Sequence, residues 1–276
     1  MIKHILVPTD GSDEAMLGVR YALGVAKRLD ATIHGLHVVD IKLLEGPILR
    51  DVSASLGTAP FANYQGNIGM ILEERGKGAL DELQRCCREA GLQCTTEQAV
   101  GIVPRVIVEK SELTDLIVLG RSGEHSAWLE GLIGSTAQGV VRRATKPVLV
   151  TGVDTPRAER FLVAYDGTVN AKRALQVAAE YAATWGAPLD VLVVNAQKGE
   201  AILQEAKSYL EPHGLSTRFE LRQDDPGETI VAYAKECGAD LLVMGAYGHS
   251  KVRELFVGST TAFAMNQSPC PLLLTR

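Results

Sequence analysis

Short unbroken apolar runs recur along this chain, and between them apolar residues return every three or four positions. Ile5-Leu6-Val7, ATIHGLHVV (31–39), LQCTTEQAV (92–100), DLIVLG (115–120) and KPVLVTG (146–152) predict five strands with helices between them. Val19, Ala22, Leu23, Ala26 and Leu29 fall on one stripe of the first predicted helix. Ser12 stands where it can cap that helix, and Asp13 and Glu14 occupy the first turn, where carboxylates suit the helix dipole. FLVAYD (161–166) and PLDVLVV (188–194) then begin the alternation again, with Leu175, Ala178, Ala182 and Trp185 on a stripe between them. Continuously apolar strands alternating with helices predict a parallel sheet covered on both faces.

The pattern is an internal repeat. ILVPTDGS (5–12) returns as LVAYDGT (162–168), and LHVVD (36–40) as LVVNA (192–196). DLIVLGRSG (115–123) returns as DLLVMGAYG (240–248), and IGSTAQGVVRRATKPVLVT (133–151) as VGSTTAFAMNQSPCPLLLT (257–275). Motifs in one order, repeated at this length, predict two tandem five-stranded doubly wound α/β domains, 1–152 and 157–276, joined by the polar linker GVDTPRAER (152–160). The first half is longer, and the surplus falls in 41–71, where Gly, Pro and Ser are scattered among apolar residues. That segment reads either as a surface excursion with a short helix or as a lid or association surface. In sheets of this class ligands bind beyond the carboxyl ends of the strands.

Composition narrows the function. The chain has 276 residues, 46% apolar, enough for two cores, and a net charge of −5 that excludes the basic face nucleic-acid binding usually needs. No apolar run approaches the roughly 20 residues that span a bilayer. Asp10 and Asp13 come too early for a secretory signal. The five cysteines are odd in number, and Cys86, Cys87 and Cys94 match no zinc spacing, so they read as reduced thiols in a cytoplasmic protein. His34 and His37 read as the polar face of a strand, and His125 and His249 as loop residues.

The chemistry concentrates at the ends of the fourth strands. After ADLLVM come Gly245 and Gly248, then nine residues, then Gly258-Ser259-Thr260 at a predicted helix start. Glycines let backbone approach a ligand closely, and free N–H groups at a helix start suit phosphate oxygens. The two hydroxyls add donors, and Lys251 and Arg253 could offset phosphate charge. The first half has Gly120, Gly123, Gly134, Ser135 and Thr136, but ten residues stand between Gly123 and Gly134. Those ten bring Glu124 and Glu130 and no Lys or Arg, although Arg121 lies just before. Asp10 and Asp166, after the first strand of each half, fit either a turn-forming or a ligand-facing role, and can serve both.

Gly-x-x-Gly, nine residues, Gly-Ser resembles the ATP-binding signature of the universal stress protein family, and the resemblance covers the whole chain apart from 41–71. It implies a Rossmann-like, adenine nucleotide alpha hydrolase-like fold used twice, with ATP as ligand and Mg or Mn sometimes on the phosphates. Carried over, Asp166, Val194, Gly245, Gly248, Gly258, Ser259 and Thr260 form one site. Asp10, Val39, Gly120, Gly123, Gly134, Ser135 and Thr136 form the other. The family also pairs its last strands antiparallel, so the two halves are expected to make an internal pseudo-dimer, doubled in turn into a homodimer.

No Gly-x-x-x-x-Gly-Lys-Ser/Thr loop and no Gly-x-Ser-x-Gly elbow is present, so at most slow hydrolysis is expected. The Ser-Gly-Gly-x-Asp-Ser and His-x-Gly-His signatures of adenylating enzymes are missing too. A scaffold that binds no nucleotide, recruiting a partner or hydrophobic ligand through 41–71, is the first alternative, and an adenylating enzyme the weaker second.

Overall fold

The computed structural model describes residues 2–42, 61–123, 134–194, 197–246 and 258–276. In the first half the order is β1 (His4–Pro8), α1 (Asp13–Leu29), β2 (Thr32–Asp40), α2 (Phe61–Ala90), β3 (Cys94–Gly101), α3 (Val103–Lys110), β4 (Leu116–Gly120), α4 (Ser135–Val141) and β5 (Val148–Thr151). In the second half it is β6 (Phe161–Ala164), α5 (Val169–Trp185), β7 (Leu189–Val194), α6 (Gly199–Leu210), β8 (Thr217–Arg222), α7 (Pro226–Cys237), β9 (Leu241–Gly245), α8 (Ser259–Gln267) and β10 (Leu272–Thr275). Local chemistry sets the helix starts alike in both halves. Ser12 Oγ accepts the Ala15 N–H at 3.2 Å, and Thr168 Oγ1 accepts the Ala171 N–H at 3.2 Å.

One ten-stranded sheet runs through the molecule in the order β3-β2-β1-β4-β5-β10-β9-β6-β7-β8. Every pairing is parallel except the central one, where β5 and β10 run antiparallel with Leu149 opposite Leu273. Because strand side chains alternate, each strand feeds two cores. Ile5, Val118, Phe161 and Val243 point to the α1/α5 side, where they meet Val19, Ala22, Leu175 and Ala178. Leu6, Ile117, Leu162 and Leu242 point to the other side, against Ile107, Val140, Ile230 and Met265. Both cores pass from one half into the other. Each fully buried aliphatic side chain contributes about 1.5–3 kcal/mol relative to exposure.

Polar contacts tie the halves at the helix ends. Arg28 donates to the Trp185 carbonyl at 3.1 Å, and its guanidinium lies 5.7 Å from the centre of the Trp185 ring. Arg121 donates to the carbonyls of Met265 (2.8 Å) and Asn266 at the end of α8, and Arg276 to the carbonyl of Arg142 (3.0 Å) at the end of α4.

The surplus in the first half lies between β2 and β3. Ile33 and its ladder partner Cys94 are 61 positions apart, whereas Leu189 and its partner Thr217 are 28 apart. Much of the surplus is helix: α2 has 30 residues against 12 in α6, or roughly 45 Å against 18 Å. Residues 61–71 thus continue a long helix, not a short one in an excursion, and 43–60 lie outside the described residues.

The two strand histidines do not share a face, because they are three positions apart. His34 Nδ1 is 2.9 Å from Thr95 Oγ1, with Nε2 3.5 Å from Glu97. His37 is buried, its Nδ1 2.9 Å from the Thr9 carbonyl, and Gly76 of α2 leaves room for its ring.

Candidate functional site: a rim cavity

Beyond Pro8 the chain turns through Thr9, Asp10 and Gly11 into α1. Asp10 Oδ1 accepts the Ser12 N–H at 3.0 Å and the Ser12 hydroxyl at 2.6 Å. Gly11 has φ +81°, and its second-half counterpart Gly167 has φ +75°, a region that favours glycine. Asp166 Oδ1 likewise accepts the Thr168 N–H at 3.0 Å. Each aspartate therefore shapes the turn with one carboxylate oxygen. Both remain exposed. In the first half the other oxygen, Oδ2, faces Gly123 so closely that a Cβ there would stand 2.5 Å from it.

The glycines divide into two kinds. A Cβ on Gly245 would lie 2.8 Å from the backbone of Asn170 and Ala171, and one on Gly120 would overlap the Glu14 carbonyl and lie 3.0 Å from Ala15 Cα. These two let the ends of β9 and β4 press against the first turns of α5 and α1, and the protein itself requires them. Gly134 and Gly258 are different. Their backbone angles, φ −56°, ψ 145° and φ −55°, ψ 146°, suit any residue. Among the described residues a Cβ at Gly258 would meet nothing nearer than 4.0 Å, and one at Gly134 would rest in ordinary contact 3.4 Å from the Ser122 Cα. No described neighbour demands glycine at either, and among the described residues no side chain caps the helices they open.

A cavity of about 710 Å³ occupies this rim in the first half. Asp10, Val39, Gly120, Gly123, Gly134, Ser135 and Thr136 all border it. The Gly134 N–H donates to the Arg121 carbonyl at 3.1 Å. The Arg121 side chain turns away to α8 of the other half. Helix α2 supplies a wall that the motifs do not mark, with Arg75, Gly78, Ala79 and Glu82. The Glu82 carboxyl is held below its ordinary value, chiefly by its hydrogen bond with Arg85. Val38 also borders the cavity. Its importance lies in register: Ile5 pairs with Ile33 and Phe161 with Leu189, which makes Val38, not Val39, the counterpart of Val194.

In the second half Asp166, Val194, Gly245, Gly258, Ser259 and Thr260 hold the corresponding places at the ends of β6, β7 and β9 and the start of α8. Gly248, His249, Lys251 and Arg253 lie outside the described residues, as do Glu124, His125 and Glu130. The surroundings differ from the first half. Ile202 of α6 stands 3.4 Å from a Cβ at Gly167, where the first half has Ala79 beside Gly11. Tyr165, at the position of Thr9, is buried and donates to Glu205 at 3.0 Å, and Lys172 pairs with the same carboxylate at 2.7 Å. Burial first, and then Glu205, pushes the Tyr165 hydroxyl well above its ordinary range.

Among the described residues there is no cluster of three or more His, Cys, Asp or Glu side chains placed to hold a metal ion, and no helix long and apolar enough to cross a membrane.

Comparison with known proteins gives one family. The model described as "Universal stress protein family" matches residues 1–152 and 194–276. Universal stress protein Slr1230 of Synechocystis is 29% identical over 287 residues, covering 100% of both chains. A solved universal stress protein of Archaeoglobus fulgidus superposes with a TM-score of 0.79 at 24% identity, covering 99% of this chain and 98% of that one. A smaller structure, described as a universal stress protein in complex with cAMP, covers 43% of this chain and 96% of its own at 28% identity, with a TM-score of 0.39. By the match to both halves, and by a relative that aligns with it over the whole of both chains, this chain belongs to the universal stress protein family, whose members serve in the stress response.

Proposed function

We propose that the chain binds ATP at the rim of each of its two domains, 1–152 and 157–276, and that the bound nucleotide biases its conformation or its association into a homodimer during stress. One observation carries the reading. Gly134 and Gly258 occupy unstrained backbone where no described neighbour would exclude a side chain, at helix starts that no side chain caps among the described residues. Unpartnered N–H groups at a helix start attract phosphate oxygens. In the first half that start borders a cavity of about 710 Å³, within the size range of small-molecule sites.

In this reading Ser135 and Thr136, or Ser259 and Thr260, hold the phosphates with their hydroxyls and amides. Asp10 or Asp166 receives the ribose hydroxyls on its outer oxygen, and Val38, Val39 or Val194 lies against the base. ATP contributes the phosphate charge that such a rim is suited to bind. The chain has no Gly-x-x-x-x-Gly-Lys-Ser/Thr loop, and the reading assigns it slow hydrolysis at most.

The test is mass spectrometry of small molecules released from denatured protein, run on the wild type and on Gly123→Trp, which would displace the Asp10 carboxylate. Adenine nucleotide released by the wild type and reduced in the variant supports the reading. No nucleotide in the wild type and no binding of added ATP would leave a nucleotide-free scaffold.

A further inference from the structure

The rim cavity of the first half reaches past the Asp10-Gly11 turn to α2. Among the described residues this lobe is bordered by Thr9, Gly11, Arg75, Ala79 and Glu82. Register locates the same places in the second half. The Thr9 N–H bonds to the Leu36 carbonyl and the Tyr165 N–H to the Leu192 carbonyl, both at 2.9 Å, so Tyr165 stands where Thr9 does. Cys94 and Thr217 are the ladder partners of Ile33 and Leu189. Three residues before them, Gly91 and Gly214 both have left-handed backbone, φ +69° and +63°. Counting back from these glycines along α2 and α6 matches Ala79 with Ile202 and Glu82 with Glu205.

What borders open space in the first half is in contact in the second. Thr9 and Glu82 both face the cavity, whereas the Tyr165 hydroxyl donates to Glu205 at 3.0 Å, so its ring spans from the end of β6 to α6. Tyr165 is only 2% exposed, and Lys172 of α5 joins the same carboxylate at 2.7 Å. Ile202 presents three side-chain carbons within 3.7 Å of a Cβ at Gly167, where the first half has a single methyl, that of Ala79, beside Gly11.

We propose that the first-half site admits an adenine nucleotide carrying a further uncharged group on its ribose, and that Tyr165 and Ile202 exclude the same ligand from the second half.

The class of ligand follows from where the lobe begins and from its wall. It begins at the turn whose aspartate receives the ribose hydroxyls in the ATP reading, on which this inference rests. A group attached to the sugar is therefore the part of a nucleotide that reaches it. Arg75 and Glu82 bring one charge of each sign from the same helix. A wall with donors and acceptors but no net charge suits an uncharged hydrogen-bonding group, such as a second sugar or an amine-bearing ring, better than another phosphate. In the second half such a group would have to break the bond between Tyr165 and Glu205 and displace a buried ring from close packing. Unsubstituted ATP has no group that needs this space, so both halves take it.

The test compares, by equilibrium dialysis, ATP with its N-methylanthraniloyl ester, which carries an uncharged amine-bearing ring on the ribose. The wild type is expected to take up the ester at half the stoichiometry of ATP. Tyr165→Thr combined with Ile202→Ala installs the small side chains of Thr9 and of Ala79, and should bring the ester up to the stoichiometry of ATP. Ala79→Ile installs the large one in the first half, and should weaken the ester about tenfold more than it weakens ATP. Ester and ATP bound in equal number by the wild type, or ATP bound without any ester, would overturn the proposal and leave the ATP reading standing. So would an Ala79→Ile chain that weakens both ligands alike. A wild type that takes up no ATP would bring down both. The wild-type and Ala79→Ile measurements decide the matter even if the double variant folds poorly.

Discussion

The two halves use one backbone plan with different furniture at the same places. β1 and β6 end in the same Asp-Gly turn, and the same kind of hydroxyl caps the helix that follows. Yet Thr9 and Ala79 on one side face Tyr165 and Ile202 on the other, and a 30-residue helix stands where the second half has 12. Positions that backbone packing dictates, such as Gly120 and Gly245, recur because any side chain would collide. Positions that only border the rim are free to differ, and there the first half has left a wide cavity while the second has placed a buried hydroxyl, a carboxylate and a lysine in contact. A repeat thus preserves the frame and lets each site acquire its own lining.

Substitutions at matched positions can break that comparison. The largest contrast is expected at Asp190 of β7 and its counterpart in β2, His34, which pair with Leu162 and Leu6. Asp190 is buried, 2.8 Å from Arg160 and 3.2 Å from Tyr233 Oη. Asp190→Ala strands the Arg160 charge and should cost about 3–5 kcal/mol in urea unfolding. His34→Ala, at a partly exposed pair, should cost under about 1 kcal/mol. Equal costs would mean that the halves do not differ in how their edges are held.

Glycines give the next contrast. Gly245→Val and Gly120→Val push a side chain into helix backbone and should each cost about 2–3 kcal/mol. Gly258→Ser and Gly134→Ser place a good capping residue where no described neighbour is nearer than ordinary contact distance and should move stability by no more than about 0.5 kcal/mol. A loss in the serine variants as large as in the valine variants would show that the rim glycines serve packing after all.

Arg121→Ala should come third, at about 1–3 kcal/mol, because it leaves the carbonyls at the end of α8 without their donor. Hydrogen exchange should speed up in α8 of the second half, although the substitution lies in the first. Exchange altered only around Arg121 would argue against the tie between halves.

The smallest effect is electrostatic. Lys110 above all, and His34 after it, hold the Glu97 carboxyl below its ordinary value near 4.5, against a modest opposing burial. A lowered carboxylate adds stability that is complete above its unfolded value and disappears as pH falls through the folded one. Glu97→Gln should therefore flatten the fall in melting temperature below about pH 4.5 and leave the plateau above it lower; a profile unchanged in slope would contradict this.

How far the sequence could be read follows from the same division. Strand runs, helix stripes and the repeat lead to two five-stranded units because they record burial, which periodicity reports directly. The antiparallel junction of β5 and β10 was expected from the family resemblance, and the ladder has it. Other features needed coordinates. Scattered Gly, Pro and Ser in 41–71 hid a helix whose stripe only becomes evident once Gly76 is seen facing His37 and Ala79 facing Gly11. Counting back from Asp10 and Asp166 would have matched Val194 with Val38, a signal present in the spacing but not used. Gly120 borders the cavity and, like Gly245, also lets helix backbone come close, a second role hidden because sequence marks a missing side chain without saying which neighbour excludes it.

The central claim is that the open helix starts at the rim hold the phosphates of ATP. Equilibrium dialysis of ATP against the purified chain, wild type beside Gly134→Trp, tests it most directly. The account predicts a stoichiometry that falls by one ATP per chain in the variant while the melting temperature of the ligand-free protein stays within a few degrees. Undiminished binding to the tryptophan variant, or a wild-type chain that takes up no ATP at all, would contradict it.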